Sequence, residues 1–303
     1  MWLTLLLAAA PLARCLAPSH SMMVRQPLVI AQRRRSLLRC TADDESELLK
    51  AIEQAATFAL RKGNEAAPVT ALAIERAGGK GRRSARAAEA VKQRIEMAAS
   101  SLEDSRPTPL LADGSVDGAS GAWQLRYSDA SEIASLVKLP LGLVLRQVVQ
   151  RVDLDRGIVE NRAEIGHVLR LMQQRTRVVA KAWADEPEAV NKAGVVNLGN
   201  RLAVKFTKVV ISLPRILVLP TPFLRIVAKP NGPTEKEGRT PTLDITYLTE
   251  SMRISRGGDG SLFVLSRVED TFEPLEVPGE DVVDSSRGFD GSTGKVERLG
   301  TKS

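Results

Sequence analysis

Between Gly121 and Leu265 the chain is written as short runs of β-branched and apolar residues separated by Gly, Pro, Asn and Asp. That texture predicts strands joined by turns, the pattern of an all-β sandwich or barrel. Trp123, Leu125 and Tyr127 alternate within Gly121-Ala-Trp-Gln-Leu-Arg-Tyr-Ser128, which puts them on one face of a strand. Val152, Ile158, Val159 and Ile165 punctuate a hairpin around Asp155-Arg156-Gly157, and residues 175–183 and 202–211 are further strand candidates. Residues 243–248 and 251–254 alternate again. Arg256-Gly257-Gly258-Asp259-Gly260 then supplies turn chemistry before 261–265 returns as a strand, a hairpin with an apolar inner face.

The stretch before Gly121 has a different period. Acids at Asp43, Asp44 and Glu45 precede Leu48, Leu49, Ile52, Ala55, Ala56, Ala59 and Leu60, which predicts an amphipathic helix starting near Asp43 and ending at Gly63-Asn64. A second helix is expected over 84–102, with Ala87, Ala88, Val91, Ile95, Ala98 and Leu102 on one face. The intervening Gly78-Gly79-Lys80-Gly81-Arg82-Arg83 lacks the strand and the Gly-Lys-Ser/Thr ending of a phosphate loop, and reads as a solvated connector. Residues 42–110 are thus expected to form a helical segment, 118–275 the β domain, and the acidic, Gly- and Ser-rich 276–303 a disordered tail.

Charge and cysteine usage narrow the function. The formal charge is +7, but residues 1–41 hold six of the 43 basic residues and no acid, leaving 37 basic against 36 acidic groups. A body that close to neutral, with no basic stripe interleaved with aromatics, argues against nucleic-acid binding. Both cysteines, Cys15 and Cys40, also lie in the leader, and His167 is the only histidine beyond it. That excludes from the body a disulfide framework, Cys-based zinc sites, thiol chemistry and a His-rich metal centre. Carboxylate pairs such as Asp153 with Asp155, or Asp185 with Glu186, fall in turn-like surroundings and read as solvated loops.

Residues 1–13 form a short apolar run ending in small residues, like a secretory signal core, and 16–40 are rich in Arg and Ser without acids, like an organelle transit peptide. Two targeting signals in series, about 1–15 and 16–41, resemble the bipartite presequences of proteins sent into plastids of secondary origin. Leu38-Arg39-Cys40-Thr41-Ala42 resembles a plastid processing site, so the mature chain is expected to start near Thr41 or Ala42. The most apolar part of the body, 209–228, contains Arg215, Arg225 and Pro214, Pro220 and Pro222, which argues against a spanning helix. It reads as an edge lying on a lipid surface or as a segment buried at the mouth of the β domain. Residues 229–242 read as a polar loop.

The run Leu243-Asp-Ile-Thr-Tyr-Leu-Thr-Glu-Ser-Met-Arg-Ile-Ser-Arg-Gly-Gly-Asp-Gly-Ser-Leu-Phe-Val-Leu265 resembles the C-terminal signature of the plastid lipid-associated proteins, also called plastoglobulins or fibrillins. The family pattern is Thr-Tyr-Leu-Asp/Glu, Arg-Ile-Ser/Gly-Arg-Gly, a turn, and Leu-Phe-Val-Leu; Thr249 stands where an acid is usual. Gly121-Ala-Trp-Gln-Leu-Arg-Tyr-Ser128 is similar to the family's first strand, and Gln150-Arg-Val-Asp153 with Asn161 to its Gln-x-Ile-Asp…Asn strand pair. The resemblance runs from about Leu48 to Arg267.

It implies an α+β fold, a lipocalin-like antiparallel β-barrel preceded by N-terminal α-helices, with plastid residence at plastoglobules or thylakoid membranes. It implies no catalytic residue, cofactor or metal. The implied partners are lipids, prenylquinones or carotenoids, with enzymes of prenylquinone synthesis as a further candidate. Candidate barrel-interior positions are Trp123, Leu125, Tyr127, Ile245, Tyr247, Met252, Ile254 and Phe263, with Leu265 beside them. Arg253, Arg256 and Asp259 are the polar residues of the signature, placed to orient a headgroup or quinone oxygen or to form a salt link across the hairpin. The rival function is a plastoglobule coat or scaffold with a filled barrel and no internal ligand.

Overall fold

The computed structural model describes residues 28–275 except 61–65, 80, 106–110, 112–117, 132, 134–142, 170, 218, 222–223 and 229–239, with side chains from Asp43 onward. The signal-peptide segment, the expected helix end at Gly63-Asn64, most of the polar loop 229–242 and the tail 276–303 lie outside the described residues. The chain divides into two units, Met1–Cys40 and Thr41–Ser303.

The class is α+β, mostly sheet with a few helices. Helix α1 spans Leu28–Ala59, so it begins well before Asp43 and the acids there are not its first turn. One of them bonds sideways: Glu45 accepts hydrogen bonds from Tyr247 Oη at 2.7 Å, Thr249 Oγ1 at 2.8 Å and Ser251 Oγ at 2.7 Å. A two-residue strand β1, Val69–Thr70, leads into α2, Ala71–Gly78, which the sequence reading missed. Its signals are local: Thr70 Oγ1 accepts from Ala73 N–H at 3.1 Å as the N-cap, and Gly79 at φ 65 ends the helix. Helix α3 spans Arg82–Ser105 and buries Ala88, Ile95, Ala99 and Leu102. Ala87, expected on that face, is exposed, and Ala99 takes the place the 3.6-residue period gives it.

The sheet strands are β2 (Gly121–Ser128), β3 (Leu143–Asp153), β4 (Ile158–His167), β5 (Met172–Ala184), β6 (Arg201–Ile216), β7 (Leu219–Pro220), β8 (Arg225–Ala228), β9 (Thr242–Leu248), β10 (Met252–Gly257) and β11 (Leu262–Val268). Eight of them pair antiparallel in the order β2-β11-β10-β9-β6-β5-β4-β3, and β3 pairs with β2 again, closing a ring. The closing seams are short. β2 meets β3 over Gly121–Gln124, and β6 meets β9 only over Arg201–Ala203. At the second seam the Arg201 guanidinium donates to both Asp244 oxygens at 2.5 and 2.9 Å and to the Ala189 and Val195 carbonyls. Gly157, at φ 62, makes the β3–β4 turn, where a Cβ would stand 2.9 Å from the Ala182 carbonyl.

Register decides which side chains share a face, because directly paired residues project to the same side. Trp123 pairs with Gln150 and Arg267, Gln150 with Asn161, and Leu265 with Leu125 and Arg253. This set is the inside of the ring, since the other face of β9, β10 and β11 packs against the helices. The inner apolar cluster includes Trp123, Leu125, Val148, Val159, Ile165 and Leu265. The outer cluster joins Leu48 and Ile52 of α1 and Ile95 and Leu102 of α3 to Val264 and Leu262.

Four residues assigned to the interior from sequence are on the outer face. Tyr127, Tyr247, Met252 and Ile254 all pack in the helix-covered cluster. Two register shifts account for Tyr127 and Tyr247, while Met252 and Ile254 lie in the row of β10 that faces the helices. Val264 pairs with Tyr127 but Leu265 with Leu125, which bulges Arg126; Ile254 pairs with Tyr247 but Ser255 with Ile245, which bulges Thr246. One extra residue reverses the alternation beyond it. Trp123, Leu125, Ile245 and Phe263 remain on the inner face.

Candidate functional site

Trp123 is fully buried and its indole Nε1 donates to the Ala119 carbonyl at 2.8 Å. Two guanidinium groups flank the ring, Arg267 at 4.2 Å and Arg253 at 5.2 Å from its centroid. Both lie within the range of cation–π attraction. Arg267 is tied down on three sides, donating to the carbonyls of Ser120 (3.0 Å), Glu250 (2.8 Å) and Gly118. It crosses directly over Gly121, where φ is 124 and a Cβ would lie 2.6 Å from Nη1, so only glycine admits this strand start.

Arg253 differs. It is completely buried, yet only Nη2 has a partner, the Gln150 side-chain oxygen; Nε and Nη1 make no hydrogen bond. Gln150 in turn donates to Asn161 Oδ1 at 2.9 Å. Ser255, two residues along the same strand and on the same inner face, is fully buried with its Oγ unpartnered. Burial, and then the positive charge of Arg267, push the Arg253 pKa down to about 9. A buried donor left unpaired costs about 1–3 kcal/mol, and an uncompensated buried charge more. A buried cation with two unpaired nitrogens, and an unpaired hydroxyl on the same face, therefore make an unsatisfied site rather than a structural tie.

The end of the ring opposite the β3–β4 turn is apolar and exposed. The β4–β5 connection carries Val168, Leu169 (72 % exposed) and Leu171, and Leu217 (58 %) in the β6–β7 turn is followed by exposed Leu219 at the start of β7. Leu217 adopts φ 55, a strained backbone for a leucine. β7 and β8 fold back on β6, so that within 209–228 the described residues of β7 and β8 form an exposed edge, with Ile226 and Val227 facing solvent, while Val210 of β6 is buried. A surface pocket of about 270 Å³ opens here, lined by Arg146, Glu164, Ile165, His167, Met172 and Arg215. No helix among the described residues is long and apolar enough to cross a membrane.

The other polar residues nominated from sequence are tied into the framework. Arg256 points outward and donates to Glu96 at 2.7 Å and to Glu103 at 2.8 and 3.0 Å, all on α3, so the salt link runs to a helix and not across the hairpin. Burial opposes its charge, but these two carboxylates outweigh burial and hold its pKa above the ordinary arginine value. Asp259 accepts from Ser261 N–H at 3.0 Å within the β10–β11 turn. Partial burial works against its ionised form, and the Ser261 hydrogen bonds still hold the pKa below the ordinary aspartate value. His167 Nδ1 accepts from Leu169 N–H at 3.1 Å, shaping the β4–β5 turn. Asp153 accepts from Arg156 N–H in the β3–β4 turn. Sequence reasoning missed Gln150, Asn161 and Ser255 as partners of the inner face. The Gln…Asn spacing was visible, but only pairing across β3 and β4 gave it meaning.

A family model, PAP_fibrillin, matches residues 73–266. Nothing among curated proteins and nothing among solved structures matches the chain.

Proposed function

Because the chain belongs to the PAP_fibrillin family, we propose that it is a non-catalytic plastid lipid-associated protein whose strand ring is a lipocalin-like barrel for an apolar or amphiphilic guest. The guest class is a lipid, a prenylquinone or another isoprenoid. The observation that carries this reading is the closed ring itself: an antiparallel sheet that returns to its first strand encloses an aliphatic inner face with one polar centre. The leader 1–41 acts as a bipartite plastid presequence, with processing near Thr41 or Ala42. Leader and family together support residence at plastoglobules or thylakoid surfaces, in a plastid of secondary origin.

The exposed apolar edge supports the second reading, a surface coat that contacts enzymes of prenylquinone synthesis. Large apolar side chains in solvent beside Arg146, Arg215 and Arg225 suit an anionic lipid interface. The two readings separate in one experiment on the full chain. Leu169→Asp with Leu217→Asp should abolish flotation with vesicles of plastid lipid composition while leaving saturable binding of a fluorescent acyl probe intact. Retained flotation removes the surface role; absence of probe binding by the unaltered protein removes the carrier role.

A further inference from the structure

Arg253 is a guanidinium sealed inside the ring without a counter-ion among the described residues. Its direct partners in the sheet are apolar, Leu248 of β9 and Leu265 of β11, and the other groups that face it come from three strands. Trp123 comes from β2, Gln150 from β3, and Arg267, the other charged group, from β11. Gln150 is itself held by Asn161 of β4. None of them neutralises the charge, and Arg267 adds to it. Nε and Nη1 of Arg253 and the Ser255 hydroxyl stand as free donors on the same inner face.

This donor set selects a ligand class. A quinone or carotenoid oxygen would accept hydrogen bonds but leave the positive charge uncompensated. A phosphate monoester has three charged oxygens, which two guanidinium nitrogens and one hydroxyl would leave under-bonded in a dry site, since Arg267, though charged, has its N–H groups on three carbonyls. A carboxylate matches in charge, since an oxygen bonded to Nε or Nη1 still has lone pairs to accept from a hydroxyl. The surrounding inner face is aliphatic, with Leu125, Val148, Val159 and Leu265 in the same cluster.

We propose that Arg253, with Ser255, is an internal carboxylate site that takes the head of a long-chain fatty acid, the acyl chain lying along the aliphatic inner face of the ring. The inference rests on the reading that the ring takes up a lipid, and it names the class of that lipid. Gln150 and Asn161 act as positioning residues, holding the guanidinium by Nη2 and leaving Nε and Nη1 for the guest.

The test uses delipidated full chain titrated calorimetrically with palmitate and with methyl palmitate, which share the chain and differ in the head. Palmitate should bind at least about tenfold more tightly, the loss expected when a charge-assisted hydrogen-bonded pair is removed. Arg253→Met should bring palmitate to the affinity of the ester and leave the ester unchanged. Palmitate affinity should fall below pH about 5 as the free acid protonates, and above about 9 as the free guanidinium discharges; ester binding should be flat throughout. Equal affinity for acid and ester overturns the inference and leaves lipid uptake standing. Acid preference that survives Arg253→Met also overturns it. Binding of neither probe overturns both this inference and the carrier reading. Should Arg253→Met fail to fold, the acid–ester difference and the pH profile of the unaltered protein decide, together with Ser255→Ala, which should weaken palmitate several-fold and spare the ester.

Discussion

Arg253 and Arg256 sit three residues apart on the same strand and therefore point to opposite faces of the sheet. Outside, Arg256 meets two carboxylates of α3 and becomes a strut between helix and sheet. Inside, Arg253 meets an amide, an indole face and another arginine. The outer face of β3, β4 and β5 repeats the first solution: Arg151, Arg162 and Arg177 are nearly buried, and Glu160, Asp270 and Glu273 neutralise them while Phe272 covers Arg162 at 4.6 Å. Buried arginines in this fold are thus normally given acids. The contrast teaches that the missing acid inside the ring is a property of that site and not of the fold's general chemistry.

That contrast can be broken by substitution, with stability read from urea unfolding midpoints. Glu160→Ala should have the largest effect, a loss of about 3–5 kcal/mol, because it removes the one fully buried carboxylate that Arg151 and Arg177 share and leaves them the more exposed Asp270 and Glu273. Arg256→Met should cost about 1–3 kcal/mol, less because Glu96 is half-exposed and water can replace its partner. Arg253→Met should move the other way, stabilising the ligand-free protein by about 1–2 kcal/mol by removing an uncompensated charge. A loss as large as that of Arg256→Met would make Arg253 an ordinary structural arginine and erase the difference between the two faces. Glu273→Ala should be smallest, below about 1 kcal/mol, since its carboxylate is half in solvent.

Much of the fold is legible in the sequence. The strands over 175–183, 202–211, 243–248 and 261–265, and the turns at 154–157 and 257–260, follow from period-two alternation and from Gly, Asp and Asn at the reversals. The site was legible only in part. Trp123, Leu125, Ile245 and Phe263 were placed on the inner face from the pattern, whereas Tyr127 and Tyr247 were misplaced because a bulge leaves no reliable mark in a single strand. Met252 and Ile254 were misplaced for another reason. An alternating strand is ordinarily read as apolar-inward, but β10 is covered on both sides, and its apolar row goes to the helices while Arg253 and Ser255 go inside.

The residues by themselves determined where the chain runs straight, where it turns, where helices give way to strands, and which segment carries a family signature. Those are short-range consequences of backbone conformation and side-chain period. Tertiary structure alone decided which face is enclosed and which arginine is neutralised, because the deciding partners lie far along the chain. Gln150 is 103 positions from Arg253, and Glu103 is 153 from Arg256. The charge balance of a buried site is set by which distant strands and helices close over it, and no local pattern encodes that closure.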